Sequence, residues 1–239
     1  MATMLLLTHS RTEPGFNLAC EEYFLTQTDL ELDIFWRNTP VVVVGRNQDA
    51  FLEADGEYLH EHGIGLVRRI TGGGAVYHDL GNICYTHIRR YNGPVDFQRF
   101  AAPMVEALRN LGLDAEFAGR NDILIHGKKV SGTAQTIWKG RVLHHGTLLY
   151  DVNMANLTGV LRVSEEKYKG RGIASVAARV ANIRPMMKEG VSAEAFMEKL
   201  AGLWDGAEQY DLSARDLTEI ETLRREVYEN PKWIKDKIR

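Results

Sequence analysis

Three consecutive glycines, Gly72 to Gly74, follow a pair of arginines in the run RRITGGGAVYHD, which extends from Arg68 to Asp79. Glycine has no Cβ atom, so it adopts positive φ angles easily and lets a ligand approach its backbone N–H groups closely. Successive N–H groups of this kind favour a phosphate or a carboxylate, and Arg69 would supply the countercharge. The run therefore predicts a loop that binds an anion.

This loop is predicted to lie between β-strands. The segments Ile64–Arg69, Ala75–His78 and Ile83–Ile88 are short and partly β-branched, which is typical of strands. A phosphate-binding P-loop requires GxxxxGK followed by Ser or Thr, and a dinucleotide-binding turn requires GxGxxG; neither spacing occurs, and no helix follows. Because no helix dipole is available, side-chain cations must bind the anion. The alternative is a glycine-rich hairpin with a solvated arginine pair.

The region from Asp122 to Val152 predicts an antiparallel meander of three strands. Its segments are DILI, KKVSGTAQTI and VLHHGTLLYDV, separated by turns at His126–Gly127 and Trp138–Gly140. The adjacent His144 and His145 in the third segment are consistent with a half-buried strand pair. Nothing near them has the spacing of metal ligands.

Lys129 lies in the second of these segments. Since side chains alternate along a strand, Lys129, Ser131 and Thr133 are expected on one face and Val130 on the other. Gly132 lowers the wall beside the lysine, which suits a pocket better than an open surface. The alternative is a solvated lysine on an edge strand, where its charge opposes aggregation.

Strand and helix patterns are intermixed without a regular βα repeat, which predicts an α+β fold with mixed or antiparallel sheets and flanking helices. The further predicted strands are Met4–Leu7, Ile34–Arg37 and Val41–Gly45, with Asn38–Pro40 as the turn between the last two. The predicted helices have N-caps at Asn17, Asp96, Ser192 and Ser213; the first ends near Gln27, the second at Leu111 and the last near Asn230 and Pro231. Pro103 must kink the second helix or mark its true start.

The chain has 239 residues, of which 44% are hydrophobic and 26% charged, as expected for a globular protein with one substantial core. Its formal net charge of −3 argues against a dedicated nucleic-acid-binding protein, which usually carries a basic excess. Cys20 and Cys84 are far apart and support neither a disulfide framework nor a CxxC metal site. No signal peptide is evident and no apolar run could span a bilayer, so we expect a cytoplasmic protein without a membrane partner.

Four motifs in a fixed order together resemble the lipoate–protein ligase A family. They are RRITGGGAVYHD, GRNDI at Gly119–Ile123, KKVSGTA at Lys128–Ala134 and HHGTLL at His144–Leu149. The segments FNLACEE at Phe16–Glu22 and SVAARVANI at Ser175–Ile183 extend the resemblance to about residue 210. The resemblance implies the α+β catalytic-domain fold shared by biotin and lipoate ligases over residues 1–210, followed by a C-terminal helical tail over 211–239.

The resemblance also implies which residues bind the substrates. The nucleotide would be bound by Arg69, Thr71, Gly73, Gly74, Ala75, Val76, Tyr77, Asn121, Asp122 and Lys129. Lipoate would be bound by Leu18, Arg69, His78, Lys129 and His145. Lys129 is matched to a lysine that touches both lipoate and phosphate, so it is the implied catalytic residue. The metal ligands stay unknown.

The implied activity is that of an ATP-dependent lipoate–protein ligase. Such an enzyme joins lipoate to ATP as lipoyl-adenylate and passes the lipoyl group to a lysine of a lipoyl-domain protein. A fixed ammonium such as that of Lys129 lowers the repulsion between the lipoate carboxylate and the α-phosphate, and Mg²⁺ would share the charge on the pyrophosphate. Many family members continue into a small accessory domain, and residues 211–239 are too few for a second core. A small accessory subunit is therefore an expected partner.

Two other functions stay open. The first is an octanoyl or lipoyl transferase of the same fold, which works through a cysteine thioester and requires a reactive thiol in the pocket. Cys84 lies in a predicted strand, where a buried structural thiol is commoner. The second is a non-catalytic lipoate- or adenylate-binding protein, and the presence of Lys129 argues against it.

Overall fold

A computed structural model describes residues 4–161, 179–204 and 206–235 of the chain. In these residues the strands form two sheets. The strands are β1 Leu5–Thr8, β2 Leu32–Trp36, β3 Val41–Val44, β4 Gly65–Arg68, β5 Val76–His78, β6 Asn82–Arg90, β7 Ala115–Ala118, β8 Asp122–Ile125, β9 Lys128–Trp138, β10 Arg141–Leu149 and β11 Glu208–Gln209. The helices are α1 Pro14–Thr26, α2 Ala50–Glu53, α3 Gly56–Glu61, α4 Phe97–Asn110, α5 Met154–Val160, α6 Ala193–Ala201, α7 Ala214–Leu223 and α8 Pro231–Lys235.

The larger sheet has the strand order β11-β1-β2-β6-β10-β9-β8-β7, and the smaller has the order β4-β3-β5. Strand β1 pairs in parallel with β11 and β2, and β3 pairs in parallel with β4, whereas the remaining pairs are antiparallel. Both sheets are therefore mixed. The predicted α+β class and the predicted meander of β8, β9 and β10 are confirmed.

Successive residues of a strand point to opposite faces, so the larger sheet has a core on each side. Phe35 packs with buried residues of α4 and α6, whereas Ile34 and Trp36 pack with α1 and α7. In the smaller sheet, the two faces of β3 also pack in different cores. Val43 belongs to the core with α1, and Val42 belongs to a third core with α5. The two sheets thus enclose α1 residues between them, and this is where the site forms.

Helix α1 begins earlier than the sequence indicated. It starts at Pro14, and proline is favoured at a first helical position because its fixed φ angle suits the helix and its missing N–H would have no partner there. Asn17 is not the N-cap, because it lies inside the helix. Its side-chain amide donates to the carbonyl of Arg37 at 3.0 Å and to Oδ1 of Asn38 at 2.9 Å. The residue therefore ties α1 to the end of β2.

The other predicted helix starts are confirmed. Asp96, Ser192 and Ser213 each accept a hydrogen bond from a backbone N–H of the first helical turn. Pro103 lies inside α4 and does not mark its start. The helix predicted from Ser213 to near Asn230 consists of α7 and a π-helical turn at Arg224–Tyr228 that continues it, and its predicted end before Pro231 is confirmed; α8 follows as a separate helix.

The turn after β2 and the C-terminal segment have tertiary roles that their sequences do not indicate. Strands β2 and β3 are not a hairpin, since they belong to different sheets and the turn between them links the sheets. The predicted C-terminal tail is packed against α1: Ile220 and Tyr228 are buried in the same core, and the Tyr228 hydroxyl donates to Glu22 at 2.6 Å. The division of the chain at residue 210 stays a prediction.

Candidate active site

A cavity of about 290 Å³ lies between the smaller sheet, α1 and strands β6, β9 and β10. Its wall contains most of the predicted site residues, namely Leu18, Arg69, Gly73, Gly74, Ala75, Val76, His78, Asn121, Lys129 and His145. Thr71, Tyr77 and Asp122 are not on the wall. Residues distant in sequence are thus brought together as the resemblance implied, and Trp36, Val43 and Cys84 join them.

The glycine loop, defined as residues 69–75, forms one side of the cavity. It joins β4 to β5, which flank β3 on either side, so the loop passes over the end of β3. Gly73 has a φ of 95°, which side chains rarely allow. A Cβ on Gly45 would lie 2.3 Å from the carbonyl oxygen of Gly73, so the glycine at position 45 lets the loop pack closely over β3.

Arg69 supports this loop from inside. Its guanidinium is buried and donates to the carbonyls of Val43 at 3.0 Å, Gly72 at 2.8 Å and Gly74 at 2.8 Å. Burial lowers the pKa of Arg69 to about 10, while the Glu21 carboxylate opposes that shift, so the group stays charged at neutral pH. In this geometry the arginine shapes the loop as well as lining the cavity.

Arg68 has a different role. It is fully buried and donates to five carbonyls, those of Gly45, Arg46, Gln48, Trp233 and Ile234. The base of the glycine loop is thereby bound to α8. The alternative of a solvated arginine pair is wrong, because both guanidinium groups are buried and bonded.

Lys129 lines the cavity opposite the glycine loop. Its side chain is 35% exposed, and its ammonium forms an ion pair of 2.7 Å with Asp122, which is also 35% exposed. A Cβ on Gly132 would lie 3.1 Å from Nζ and 3.2 Å from Cε of the lysine. Gly132 therefore leaves the room in which the lysine side chain lies, as predicted.

The predicted alternation along β9 is interrupted beside this lysine. Leu124 pairs with Lys129 and Ile123 pairs with Ser131, so Val130 is an extra residue that forms a β-bulge. Ser131 is fully buried, with its hydroxyl 3.5 Å from that of Tyr85 in the core of α4. The prediction that Lys129 and Ser131 share a face is wrong, since the bulge turns them to opposite faces.

Asn121 ends the turn before β8, and Asp122 is the first residue of that strand. The side-chain amide of Asn121 donates to the carbonyl of Thr133 at 2.6 Å, which fixes this turn to β9. The backbone of Lys129 is bonded to residues 179–181. Its N–H donates to the carbonyl of Arg179 at 2.7 Å, and its carbonyl accepts from the N–H of Ala181 at 3.0 Å. Residues 175–178 of the SVAARVANI motif lie outside the described residues.

A chain of hydrogen bonds connects the glycine loop to α1. Arg69 Nε donates to the Thr71 hydroxyl at 2.9 Å, and that hydroxyl lies 2.8 Å from Nε2 of His145. Nδ1 of His145 lies 2.9 Å from the Glu21 carboxylate, which also accepts from the Thr86 hydroxyl. Sequence reasoning missed Glu21 as a site residue. Its position three residues after Leu18, on the same helical face, is the signal that could have indicated it.

The far end of the cavity is apolar and uncharged. Leu18, Trp36 and Val43 form it together with His78 and Cys84. Burial and the nearby Arg69 charge lower the pKa of His78 to about 3, and burial raises the pKa of the Cys84 thiol well above its usual value. Both groups are therefore neutral at pH 7, and this end suits an aliphatic chain.

Tyr77 does not bring its side chain to the cavity. The ring is 2% exposed, and its hydroxyl accepts from the side-chain amide of Asn156 on α5 at 3.1 Å. The nucleotide contact that the resemblance implied for Tyr77 stays a prediction. In the described parts of the chain no cluster of three or more His, Cys, Asp or Glu residues could hold a metal ion, and no helix is long and apolar enough to cross a membrane.

Residues 13–202 match the family described as the lipoyl protein ligase A/B catalytic domain. The chain belongs to this family. Its sequence is 37% identical over 231 residues to the lipoate-protein ligase LplJ of Bacillus subtilis, which is 92% of this chain and 70% of that protein. The predicted membership of the lipoate–protein ligase enzymes is confirmed.

Solved structures of lipoyl ligase family members share the fold over nearly the whole chain. A bi-partite lipoate protein ligase of Thermoplasma acidophilum, described with its E2 lipoyl domain, has a TM-score of 0.84 and 28% identity, covering 100% of this chain and 98% of that one. A putative lipoate protein ligase of the same organism with bound lipoic acid gives 0.80 and 27%, covering 98% of each chain. A lipoate-protein ligase A bound with ATP gives 0.81 and 26%, covering 99% of each.

Proposed function

We propose that this protein is an ATP-dependent lipoate–protein ligase that works in two steps. It joins lipoate to ATP as lipoyl-adenylate with release of pyrophosphate, and it then transfers the lipoyl group to a lysine of a lipoyl-domain protein. The observation that carries the proposal is the placement of the Lys129 ammonium on the wall of a cavity whose other end is apolar and neutral. Relatives solved with ATP and with lipoic acid support both substrates.

In the first step a carboxylate oxygen of lipoate bonds to the α-phosphorus of ATP, and the bond to the pyrophosphate oxygen breaks. Both reactants are anions, so their repulsion is part of the barrier. Lys129 carries a compact charge that can contact an oxygen of each, and the backbone N–H groups of the glycine loop are further fixed donors. Because the loop is held by Arg69, these donors need little rearrangement when charge develops.

The site offers one carboxylate that would hold Mg²⁺. The ion is usually bound through one or two carboxylates together with substrate phosphates, and does not need a cluster made of protein groups alone. Asp122, whose carboxylate lies 2.7 Å from the Lys129 ammonium, is the group that would hold it beside the phosphates. When bound, Mg²⁺ would neutralise charge on the departing pyrophosphate.

In the second step the amine of the acceptor lysine attacks the acyl carbon of the adenylate. A C–N bond forms, the C–O bond to AMP breaks and the amine nitrogen loses a proton. The mixed anhydride is already activated, so no nucleophile of the enzyme is needed. The same Lys129 ammonium stabilises the adenylate as it leaves.

The alternative, a transferase that works through a cysteine thioester, would need Cys84 as its nucleophile. Cys84 lines the cavity with its sulfur 3.6 Å from Nδ1 of His78, which resembles a thiol–base pair. Activation of a thiol requires a lowered pKa, and the pKa of Cys84 is raised. The pKa of His78 is lowered to about 3, so the imidazole is a poor proton acceptor. The geometry therefore favours the ligase.

A small accessory subunit is part of the proposal. The Thermoplasma acidophilum protein that matches this chain along nearly its full length is described as bi-partite, and this description supports a second polypeptide. The cytoplasmic location stays a prediction from the sequence.

The experiment that tests the function is mass spectrometry of a lipoyl-domain protein after incubation with this protein, ATP and lipoate. We expect one lysine of the acceptor to gain the mass of a lipoyl group, with pyrophosphate released in step. The mass gain must require ATP, since a transferase that starts from an acylated carrier would not consume it. Repeating the assay with the chain that copurifies from the native host measures the need for an accessory subunit. Binding of both substrates without pyrophosphate release would indicate a non-catalytic protein.

A further inference from the structure

Two opposite charges are buried beside the cavity without touching each other. The Arg69 guanidinium is 5% exposed and the Glu21 carboxylate is 1% exposed. The direct hydrogen bonds of Arg69 go to three carbonyls and the Thr71 hydroxyl, so none of them reaches the carboxylate. Burial of a charge is costly unless it is paired or hydrogen-bonded. Two side chains, Thr71 and His145, lie between the two groups and connect them by hydrogen bonds.

With the imidazole proton of His145 on Nδ1, the hydrogen bonds of this connection run in one direction. Thr71 accepts from Arg69 Nε and donates its hydroxyl proton to Nε2 of His145. Nδ1 of His145 donates to Glu21. In this tautomer the four residues form a one-way relay from the guanidinium to the carboxylate. Changing its last member therefore affects the first.

We propose that Glu21 is a positioning residue that holds the glycine loop in its nucleotide-binding shape through His145 and Thr71. The inference rests on the proposed use of ATP. Glu21 is not on the cavity wall, whereas the loop residues that Arg69 bonds, Gly72 and Gly74, border or form that wall. The carboxylate thus acts on the nucleotide through other side chains.

A carboxylate is needed at this position because two donors converge on it. Glu21 accepts from Nδ1 of His145 and from the Thr86 hydroxyl. Nδ1 of His145 lies 2.9 Å from one carboxylate oxygen and 3.1 Å from the other. In Glu21→Gln either orientation of the amide therefore places its NH₂ group against the Nδ1–H donor. The most direct response is a flip of the imidazole, which releases Thr71 and, with it, the orientation of Arg69.

The test compares Glu21→Gln with Glu22→Gln. The two acids are neighbours on α1, and Glu22 accepts a hydrogen bond from Tyr228, remote from the relay. We expect Glu21→Gln to weaken binding of ATP by about tenfold, the range for loss of a hydrogen bond to a charged group, and Glu22→Gln to leave it within twofold. Backbone amide NMR signals of Gly72, Gly73 and Gly74 should shift in the first variant only. Equal ATP affinity in both variants would overturn the proposal.

A double-mutant cycle tests the relay itself. Thr71→Val removes the hydroxyl at nearly constant volume, and Thr71→Ser keeps it. In a relay, Glu21→Gln combined with Thr71→Val should bind ATP no more weakly than the worse single variant, because both break the same chain. Thr71→Ser should restore most of the affinity lost in Thr71→Val. Fully additive losses, or equal losses in the two threonine variants, would refute transmission through Thr71.

These measurements stay separate from the test of the overall reaction. ATP binding is measured without lipoate or acceptor, and the amide shifts need no ligand. If no lipoyl-adenylate forms while Glu21→Gln still moves the loop signals and weakens ATP binding, the ligase assignment fails and the positioning role stands. If the adenylate forms and neither effect is seen, the positioning role alone fails.

Discussion

The two ends of the cavity hold their ionisable groups in opposite ways. At the apolar end His78 and Cys84 are almost fully buried, and burial shifts the pKa of each toward its neutral form. At the other end Lys129 and Asp122 form an ion pair in which each side chain is 35% exposed. A pair with that much access to water can exchange partners at low cost, whereas a buried group cannot. The comparison indicates that the ion pair able to exchange a partner for a substrate group lies at the exposed end.

The largest expected effect comes from removing the cation of the exposed end. Lys129→Ala should keep the fold, because the side chain is partly exposed and Asp122 stays accessible to water. Lipoyl-adenylate formation should fall by about 10²- to 10³-fold, as for loss of a fixed donor at a developing charge. Pyrophosphate release measures the rate, and circular dichroism checks the fold. Lys139→Ala, at a cation that lies over Trp138, is the matched control. A Lys129→Ala variant with wild-type rates would remove the distinction between the two ends.

The next effect concerns the close contact beneath the glycine loop. Gly45→Ala would place a methyl group 2.3 Å from the carbonyl oxygen of Gly73, so the backbone of the loop must move. We expect a loss of about 1–3 kcal/mol in the free energy of unfolding and weaker ATP binding. Gly56→Ala is the control, since its Cβ would meet nothing within 4 Å. Chemical denaturation and ATP titration measure both quantities. Identical behaviour of the two variants would show that the loop does not depend on this contact.

The effect that is smallest at neutral pH sharpens the account of the neutral end. The pKa of His78 is lowered to about 3, so below pH 6.5 the unfolded chain binds a proton there that the folded protein does not. Unfolding is then favoured as pH falls, and this one residue should cost about 1.4 kcal/mol per pH unit between pH 6.5 and 4. His78→Gln should reduce the slope of unfolding free energy against pH by that amount. An unaltered slope in His78→Gln would contradict this account, because it would mean that the imidazole binds its proton equally well in the folded and unfolded states.

The parts of the site that could be predicted from sequence are those carried by local pattern. Lys129 and Gly132 were recognisable because a lysine beside small residues in a strand suits a pocket, and their side-by-side placement is observed. The glycine loop was recognisable because its spacing excludes the helix-capped anion sites, and a strand does follow it. The serine N-caps of α6 and α7 were recognisable for the same local reason.

Long-range placement accounts for what could not be predicted. An arginine beside glycines suggests an exposed countercharge, yet Arg69 is buried. Its guanidinium is bonded to two carbonyls of its own loop and to one carbonyl of β3. Strand periodicity assumes an unbroken ladder, and the extra residue Val130 breaks it. Glu21 owes its role to His145, which lies 124 positions later in the chain. Pattern within a short window contains no information on such partners.

The hydrogen bonds of Arg68 also bear on how the protein is made. Its guanidinium reaches carbonyls 165 and 166 positions later, in Trp233 and Ile234. A ribosome adds about 5–20 residues per second, so roughly ten to thirty seconds separate synthesis of Arg68 from that of these partners. During that interval the buried guanidinium lacks two of its acceptors. The base of the glycine loop can therefore reach its final order only after Trp233 and Ile234 have been synthesised, later than every strand of the two sheets.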